Sequence, residues 1–417
     1  NHFNVDARED VGRSVLPDYD RTVIRANMFG NFRVMLDQVV RHAAMMYYLD
    51  NRLNGIPNPN ENYARELLEL HTLGAVENYY GFVDPSQVPN NQDGEPAGYV
   101  EADVLETARL LTGFGVADDN NFPAGSPENN GEFIFRASRH DFNSKTILGQ
   151  TIQGTGETEL NVLLDYLCQH RGTAEYICWK LAVRFIGDGF TANSSRVQSA
   201  ANIFQNNWDN PEQLTLVYRH LLDSSTFKQT WADKARRPLE IIYSALRAAD
   251  VDYDFELNST AANAGQYGYM GSIRDAGQPA FSCEPPTGYE EDRAIWKGTG
   301  PLVMSWRAVS RMLRDVDSAV GNDNYVNLAQ QTNDNVGNLT PDAIANYWLN
   351  RVLGGQQNTS TEKRDVLVNF LRTYGEAAGN GSPLQVDTTN LDRYSEYQQL
   401  MRGFFMLVAL LPERMIR

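Results

Sequence analysis

The chain has 417 residues, 42% of them hydrophobic, enough for two or three ordinary domains or one large helical body with a substantial core. Its formal charge of −17 leaves no basic stripe for a phosphate backbone, so nucleic acid is excluded as a partner and a polyanion could bind only in a locally basic cleft. No uninterrupted apolar run reaches about 18 residues, so no transmembrane segment is expected, and three cysteines (Cys168, Cys178, Cys283) have neither the number for a disulfide framework nor the spacing for zinc.

The chain opens with Asn1, His2 and Phe3, without an initiating Met or a visible signal peptide, so an upstream portion is expected to be missing. The first 28 residues are polar and hard to place. Phe32, Met35, Leu36, Val39, Val40, Ala43 and Met46 then recur at i, i+3, i+4, i+7 spacing and predict one amphipathic helix, with His42 at the edge of its stripe.

After a turn at 52–57 comes NPNENYARELLELHTLG, residues 58–74, the densest concentration of helix signals and ionisable groups in the chain. Asn58 as cap, Pro59 at the first helical position and Glu61 three residues after the cap predict the start, and Gly74 the stop. At about 100° per residue, Tyr63, Leu67 and Leu70 form an apolar stripe widened by Ala64, Leu68 and His71, while Asn62, Glu66 and Glu69 share another face. Arg65 stands four residues from both Glu61 and Glu69, the spacing at which opposite charges meet. A helix apolar over so much of its girth is expected to be central, with its charges paired inside the protein or engaged with a ligand. Glu69 and His71 project to nearly opposite sides, which argues against one metal ion held by both from this helix alone.

Residues 77–98, rich in Asn, Asp, Pro and Gly, read as a long surface loop. Asn90, Asn91, Asp93 and Glu95 could offer oxygens to calcium, though not in EF-hand order. A helix is predicted over 101–114, a polar loop over 118–131 and a strand at 132–136; His140 and Asp141 follow in irregular structure. Helices at 157–169 and 173–186 predict an antiparallel hairpin in which Cys168 and Cys178 either meet or remain reduced in the core. Further helices are expected at 195–207, 211–222 and 236–249.

The period stops over 250–300, where Gly, Pro and aromatic residues, with Gln266, Tyr267 and Trp296 among them, mark a candidate binding surface. Helices resume from Pro301 to about 317, from Thr340 and Pro341 to Gly354, from 360 or 361 to before Gly375, and over 391–411. The expected fold is mostly α, a single multi-helical body with long irregular loops and at most a minor β-hairpin. It divides as 1–250, 251–300 and 301–417, packed as one continuous domain.

Glu66 and Glu69, one turn apart, could serve a metal or general acid–base chemistry; a buried ion-pair network around Arg65 is the alternative. His71 is either a core imidazole satisfied by a backbone carbonyl or a group for metal or proton transfer. His2, His42, His71 and His140 are the candidate ligands of a divalent metal, whereas His170 and His220 sit at helix ends where an imidazole meets terminal carbonyls. Serine-hydrolase elbows, phosphate-binding glycine loops, dinucleotide fingerprints, HExxH helices and the Glu-x-x-His pairs of di-iron bundles are absent from the sequence. A site is expected between the 58–74 helix, the His42 helix and the His140 loop, roofed by 265–300. Its candidate catalytic residues are Glu66, Glu69, His71, His140 and Asp141, and its candidate substrate contacts are Asn62, Arg65, Gln266, Tyr267 and Trp296.

NHF at 1–3, NENYARELLELHTLG at 60–74, LLTG at 110–113, HDF and KTILG within 140–149, KARRPLEIIYSALRA at 234–248 and LLPERMIR at 410–417 carry a resemblance over nearly the whole chain. In this order they resemble the large bacterial domain-of-unknown-function family numbered eighteen hundred. The resemblance implies export and, as a partner, a protein similar to sulfatases and alkaline phosphatases, but no settled activity and therefore no catalytic roles. It also implies a helical region upstream of NHF. The loop after Glu77 is longer than usual for the family, and Tyr289 stands where tryptophan is common. Two readings of function remain open: an exported hydrolytic or metal-assisted enzyme acting on an extracellular polymer such as polysaccharide, or a non-catalytic binding or assembly protein at the cell surface. The acidic balance suits an extracellular setting for either.

Overall fold

Helix dominates the described residues, as the 3.6-residue period predicts, and β structure there is confined to two antiparallel pairs of three-residue strands. The structure is a computed structural model that describes residues 1–8, 12–223, 225–230, 234–251, 269–314, 326–374 and 391–416. Strand β1 (Phe114–Val116) pairs with β2 (Phe133–Phe135), the strand expected from alternation, placing Phe114 opposite Phe135. Strands β3 (Lys145–Ile147) and β4 (Gln150–Ile152) form a second pair joined through Leu148 and Gly149, both at positive φ. Three-residue strands are too short to leave a period of two, so this second pair was not foreseen.

The contacts divide the chain into two compact units, Asn1–Thr230 with Phe281–Glu291, and Trp231–Ala280 with Asp292–Arg417. In the first, the helix Arg171–Phe185 packs against Thr158–Gln169, Ser195–Asn206, Gln213–Leu222 and the turn Leu67–Thr72. Leu36, Val39, Val40, Leu67, Leu68, Leu163, Leu164 and Cys178 are fully enclosed in its core, each large aliphatic side chain contributing about 1.5–3 kcal/mol. All three cysteines are buried and free.

The single helix predicted through Ala43 and Met46 is two helices, Phe32–Arg41 and Ala43–Tyr48. The apolar period runs through the break because His42, in extended backbone at ψ 136°, caps the second helix: its Nδ1 accepts from Ala44 N at 3.1 Å. His170 does the same for Arg171–Phe185, its Nδ1 accepting from Gly172 N at 3.0 Å while Nε2 donates to Pro96 O at 2.9 Å. An imidazole at the start of a helix, rather than at its end, thus supplies the cap usually given by Ser, Thr, Asp or Asn.

Residues 281–291 lie along the start of the chain. Ala7 N donates to Phe281 O at 2.8 Å, and Asn4 Nδ2 donates to Cys283 O at 2.9 Å and Pro285 O at 3.0 Å. Tyr48 OH donates to Glu284 O at 2.6 Å. The region 250–300 is not uniformly irregular: Tyr269–Asp275 and Arg293–Trp296 are short helices, and a longer one begins at Thr299. Pro and Gly spaced between these short helices erase the period that a longer one would show. Gln266 and Tyr267 lie outside the described residues.

In the second unit, Pro238–Ala248 packs on Thr299–Arg314 and Pro341–Leu353, and Leu391–Ala409 packs on Leu328–Asn335 and Thr361–Tyr374. Thr340 Oγ1 accepts from Ala343 N at 3.2 Å and Gly354 stops the helix at φ 72°, the start and stop read from the sequence. Trp348 is fully buried and donates to Thr332 Oγ1 at 3.0 Å. Arg414, within the terminal LLPERMIR, is also buried, where it donates to Ala409 O at 2.9 Å and to Ser244 Oγ at 2.7 Å. Among the described residues no helix is long and apolar enough to cross a membrane.

Candidate functional site

The helix expected from Asn58 begins four residues later, at Asn62. Asn54 Oδ1 accepts from Asn60 N at 2.8 Å and Asn60 Oδ1 accepts from Asn62 N at 3.0 Å, so the turn chemistry of two asparagines outcompetes the cap at Asn58. Ordinary α pitch lasts only through Glu66. From Leu67 to Thr72 the backbone is π-helical: Leu73 N donates to Leu68 O, five residues back, at 2.9 Å, and Thr72 Oγ1 donates to Leu67 O at 2.7 Å. At α pitch Glu66 and His71 would stand about 140° apart; the i→i+5 turn brings them toward one side. Single wide turns of this kind occur often at functional sites.

Glu66 is half-buried, and its Oε2 is enclosed with no hydrogen-bond partner among the described residues. Burial, then the charge of Glu69, pushes its carboxyl up to about 7 against the opposing pull of Arg65. Arg65 does not neutralise it, because its guanidinium is engaged by Glu101 at 2.6 and 3.1 Å and by Glu61 at 3.4 Å. Tyr79 OH completes that network by donating to Glu101 Oε2 at 2.8 Å. Arg65, a candidate substrate contact, is therefore held in an ion-pair network. Glu69 makes no hydrogen bond or ion pair among the described residues.

Tyr176, on the helix Arg171–Phe185, is the hub of the cluster. The charges of Glu69 and Glu66 both act on its hydroxyl, which burial has already raised above the usual phenol range. Its ring lies 6.3 Å from that of His2 and 5.9 Å from that of Trp179, and the Lys180 ammonium stands 5.3 Å from its centroid. The other neighbour is Gly74, at φ 85°; a Cβ there would come within 2.4 Å of the Tyr176 ring. Only glycine both adopts that conformation readily and leaves the ring its place.

His2 donates from Nε2 to the carbonyl oxygen of His71 at 3.1 Å, and the two rings stand 6.2 Å apart. Nδ1 of each is buried without a partner among the described residues. Burial first and the charge of Lys180 second lower both imidazoles, His71 to about 3 and His2 well below its usual range, so both are neutral near pH 7. Burial also draws the Lys180 ammonium down to about 8, with Glu291 acting the other way. Its positive charge beside two imidazoles opposes a metal cation at that point. Among the described residues no three His, Cys, Asp or Glu side chains are grouped to hold a metal ion. The cluster can instead hold and move a proton, through a carboxyl that titrates near pH 7 beside a second carboxylate.

The remaining candidates lie elsewhere. His140 is fully enclosed, Nδ1 against Thr112 O at 2.7 Å and Nε2 against Glu159 Oε1 at 2.9 Å. Glu159 Oε2 in turn receives Lys145 Nζ at 2.6 Å, and Oε1 also accepts from Gly156 N at 2.8 Å. Asp141 pairs with Arg109 at 2.9 Å, and that hydrogen bond outweighs burial to bring its carboxyl down to about 2. His42 is a helix cap, facing Asp18 at 3.4 Å through Nε2. Asn62 is exposed and donates to Leu49 O at 3.3 Å, and Trp296 is a buried residue of the second unit. In the 77–98 loop, Asn91 Oδ1 accepts from Asp93 N and Glu95 N at 2.9 and 3.1 Å, so that oxygen shapes the turn.

Two cavities of about 310 Å³ open away from the cluster, one beside Phe29, Tyr218 and Arg219, the other beside Tyr47, Asp118 and Asn120; neither is lined by Glu66, Glu69 or His71. Tyr176 and Lys180 were not singled out from the sequence. The available signal was a lysine one turn after a tyrosine on a helix whose inward stripe is Ala174, Ile177, Cys178 and Ala182.

No curated protein and no solved structure matches the chain. A family model does, over residues 1–411, through the segments that build both compact units, and the chain belongs to that family, described as protein of unknown function (DUF1800).

Proposed function

We propose that this protein is an exported enzyme that hydrolyses an extracellular polymer such as polysaccharide by acid–base chemistry, with Glu66 exchanging the proton and Glu69 as its ionised neighbour. One observation carries the reading: Glu66 Oε2 is enclosed and unpartnered beside a second carboxylate, with its titration drawn up to about 7. A carboxyl held beside a second one can act as a general acid, and a catalytic group works best when it titrates near the working pH. In glycoside cleavage Glu66 would protonate the leaving oxygen while Glu69 carries the negative charge needed opposite it. The family resemblance implies export and, as a partner, a protein similar to sulfatases and alkaline phosphatases, and the charge of −17 suits an extracellular setting.

The test is release of reducing ends from a panel of polysaccharides. Glu66→Gln is expected to lower turnover by roughly 10²-fold or more without loss of folding. Turnover equal to that of the unaltered protein removes Glu66 from the chemistry.

The second reading, a binding or assembly protein, has its own support in the loop after Gly74, where Val76 and Phe82 are 86% and 87% exposed. Apolar side chains so open to water mark contact surfaces when they cluster. Loss of surface attachment in Phe82→Ser, with no effect of Glu66→Gln on any turnover, would favour it.

A further inference from the structure

Lys180 stands one turn after Tyr176 on the helix Arg171–Phe185, half-buried. Its ammonium makes no hydrogen bond or ion pair among the described residues; its one close polar neighbour there is the face of the Tyr176 ring. Glu291, the carboxylate whose charge reaches it, is already bound to Arg184 at 3.3 Å. His2 and His71 cannot serve as counter-ions, since neither imidazole carries negative charge in any form accessible near pH 7. A cation drawn this far from water, whose nearest carboxylate charge is shared with the Arg184 guanidinium, is poorly compensated, and a ligand anion would relieve that cost. The charges of Glu69 and Glu66 act on the hydroxyl of the same tyrosine, and one Glu66 oxygen has no partner among the described residues.

We propose that Lys180 binds the anionic group of an acidic sugar, a carboxylate or a sulfate ester, so that the polymer cut at Glu66 is an acidic polysaccharide. The position of the bond rests on the acid–base reading above; the anion site does not. In a chain of net charge −17 the wider field repels a polyanion, so its recognition falls to a short-range cation of this kind. Lysine suits the task as a compact point charge that does not demand the planar geometry of a guanidinium partner.

The experiment measures binding to the full chain by calorimetry with matched pairs of probes: trigalacturonate against its methyl ester, and a sulfated carrageenan tetrasaccharide against its desulfated form. The acidic member of at least one pair is expected to bind roughly tenfold or more tightly, and the pair that shows the preference tells carboxylate from sulfate. Lys180→Met is expected to remove the preference and leave binding of the neutral member unchanged. Equal binding of acidic and neutral members in both pairs, or a preference that survives in Lys180→Met, overturns the proposal. Should that variant fail to fold, the ¹³C signal of reductively methylated Lys180 in the unaltered chain decides. A shift on saturation with the acidic probe supports the site, and an unmoved signal overturns it. Glu66→Gln should keep the preference while losing turnover. A variant that keeps both defeats the acid–base reading and still supports the anion site.

Discussion

His2 reaches across 3.1 Å to donate its Nε2 proton to the carbonyl of His71, and this one bond fixes the tautomer of the first ring while tying the start of the chain to the wide turn. Both imidazoles are neutral in the fold and would be charged in the unfolded chain below pH 6.5. The unfolded state therefore binds more protons, and the stability due to the neutral pair is complete above pH 6.5 and lost as pH falls toward 3. Urea titrations between pH 7.5 and 4 should show stability dropping by about 1.4 kcal/mol per pH unit for each ring. His71→Leu should flatten that slope; a variant with the same slope would show that His71 is already protonated or solvated in the fold.

Glu66 has the opposite sign. Its folded carboxyl titrates at about 7, above the unfolded value of 4.5, so the unfolded chain releases the proton first and stability falls as pH rises from 4.5 through 7. Glu66→Gln should raise the unfolding free energy at pH 8 by about 1–2 kcal/mol, after discounting for the partly exposed carboxyl, and change little at pH 4.5. A stability gain independent of pH would mean that titration is not its source.

Glu159 serves His140 and Lys145 at once, with all three side chains sealed from water. Removing the carboxylate leaves two enclosed nitrogen groups without it, so Glu159→Ala should cost about 3–5 kcal/mol in denaturant unfolding. Turnover per folded molecule should not change, because the network is separate from Glu66.

Gly74→Ala should destabilise the fold by at least about 1–2 kcal/mol from the left-handed backbone alone, before the clash with Tyr176 is added. The displaced ring should also move the ¹³C signal of methylated Lys180. A normal signal in a folded variant would show that the ring is not what holds the amine.

Arg65→Met should cost about 1 kcal/mol, the scale of a partly exposed ion pair, by breaking the contact with Glu101. Its effect on KM should be negligible; a rise of tenfold with normal stability would return Arg65 to the substrate.

The mostly α architecture was legible wherever a long apolar period met recognisable caps, as with Thr340, Pro341 and Gly354, and the β2 strand showed in the alternation of 132–136. The break at His42 was hidden because the apolar spacing continues through it and because histidine is not among the residues favoured as helix caps. The wide turn after Glu66 was hidden for a related reason: Leu, Glu and His fit α and π pitch alike, and the choice is made by packing against Arg171–Phe185. Of the cluster, the sequence named Glu66, Glu69, His71 and His2 but placed His140 beside them, whereas the structure encloses His140 with Glu159. Lys180 became visible only through its distance to a ring four residues earlier on its helix and through its charge acting on histidines more than a hundred residues away.

The turn from Leu67 to Thr72 fits more chain into one loop of backbone than the pitch before it allows. Within this segment, substitution and deletion are consequently unequal events: exchanging a side chain alters one contact, whereas excising a single residue would rewind everything after it, carrying His71 off its carbonyl link and Gly74 out from under the tyrosine. The length of this segment is therefore constrained alongside its enclosed leucines and His71.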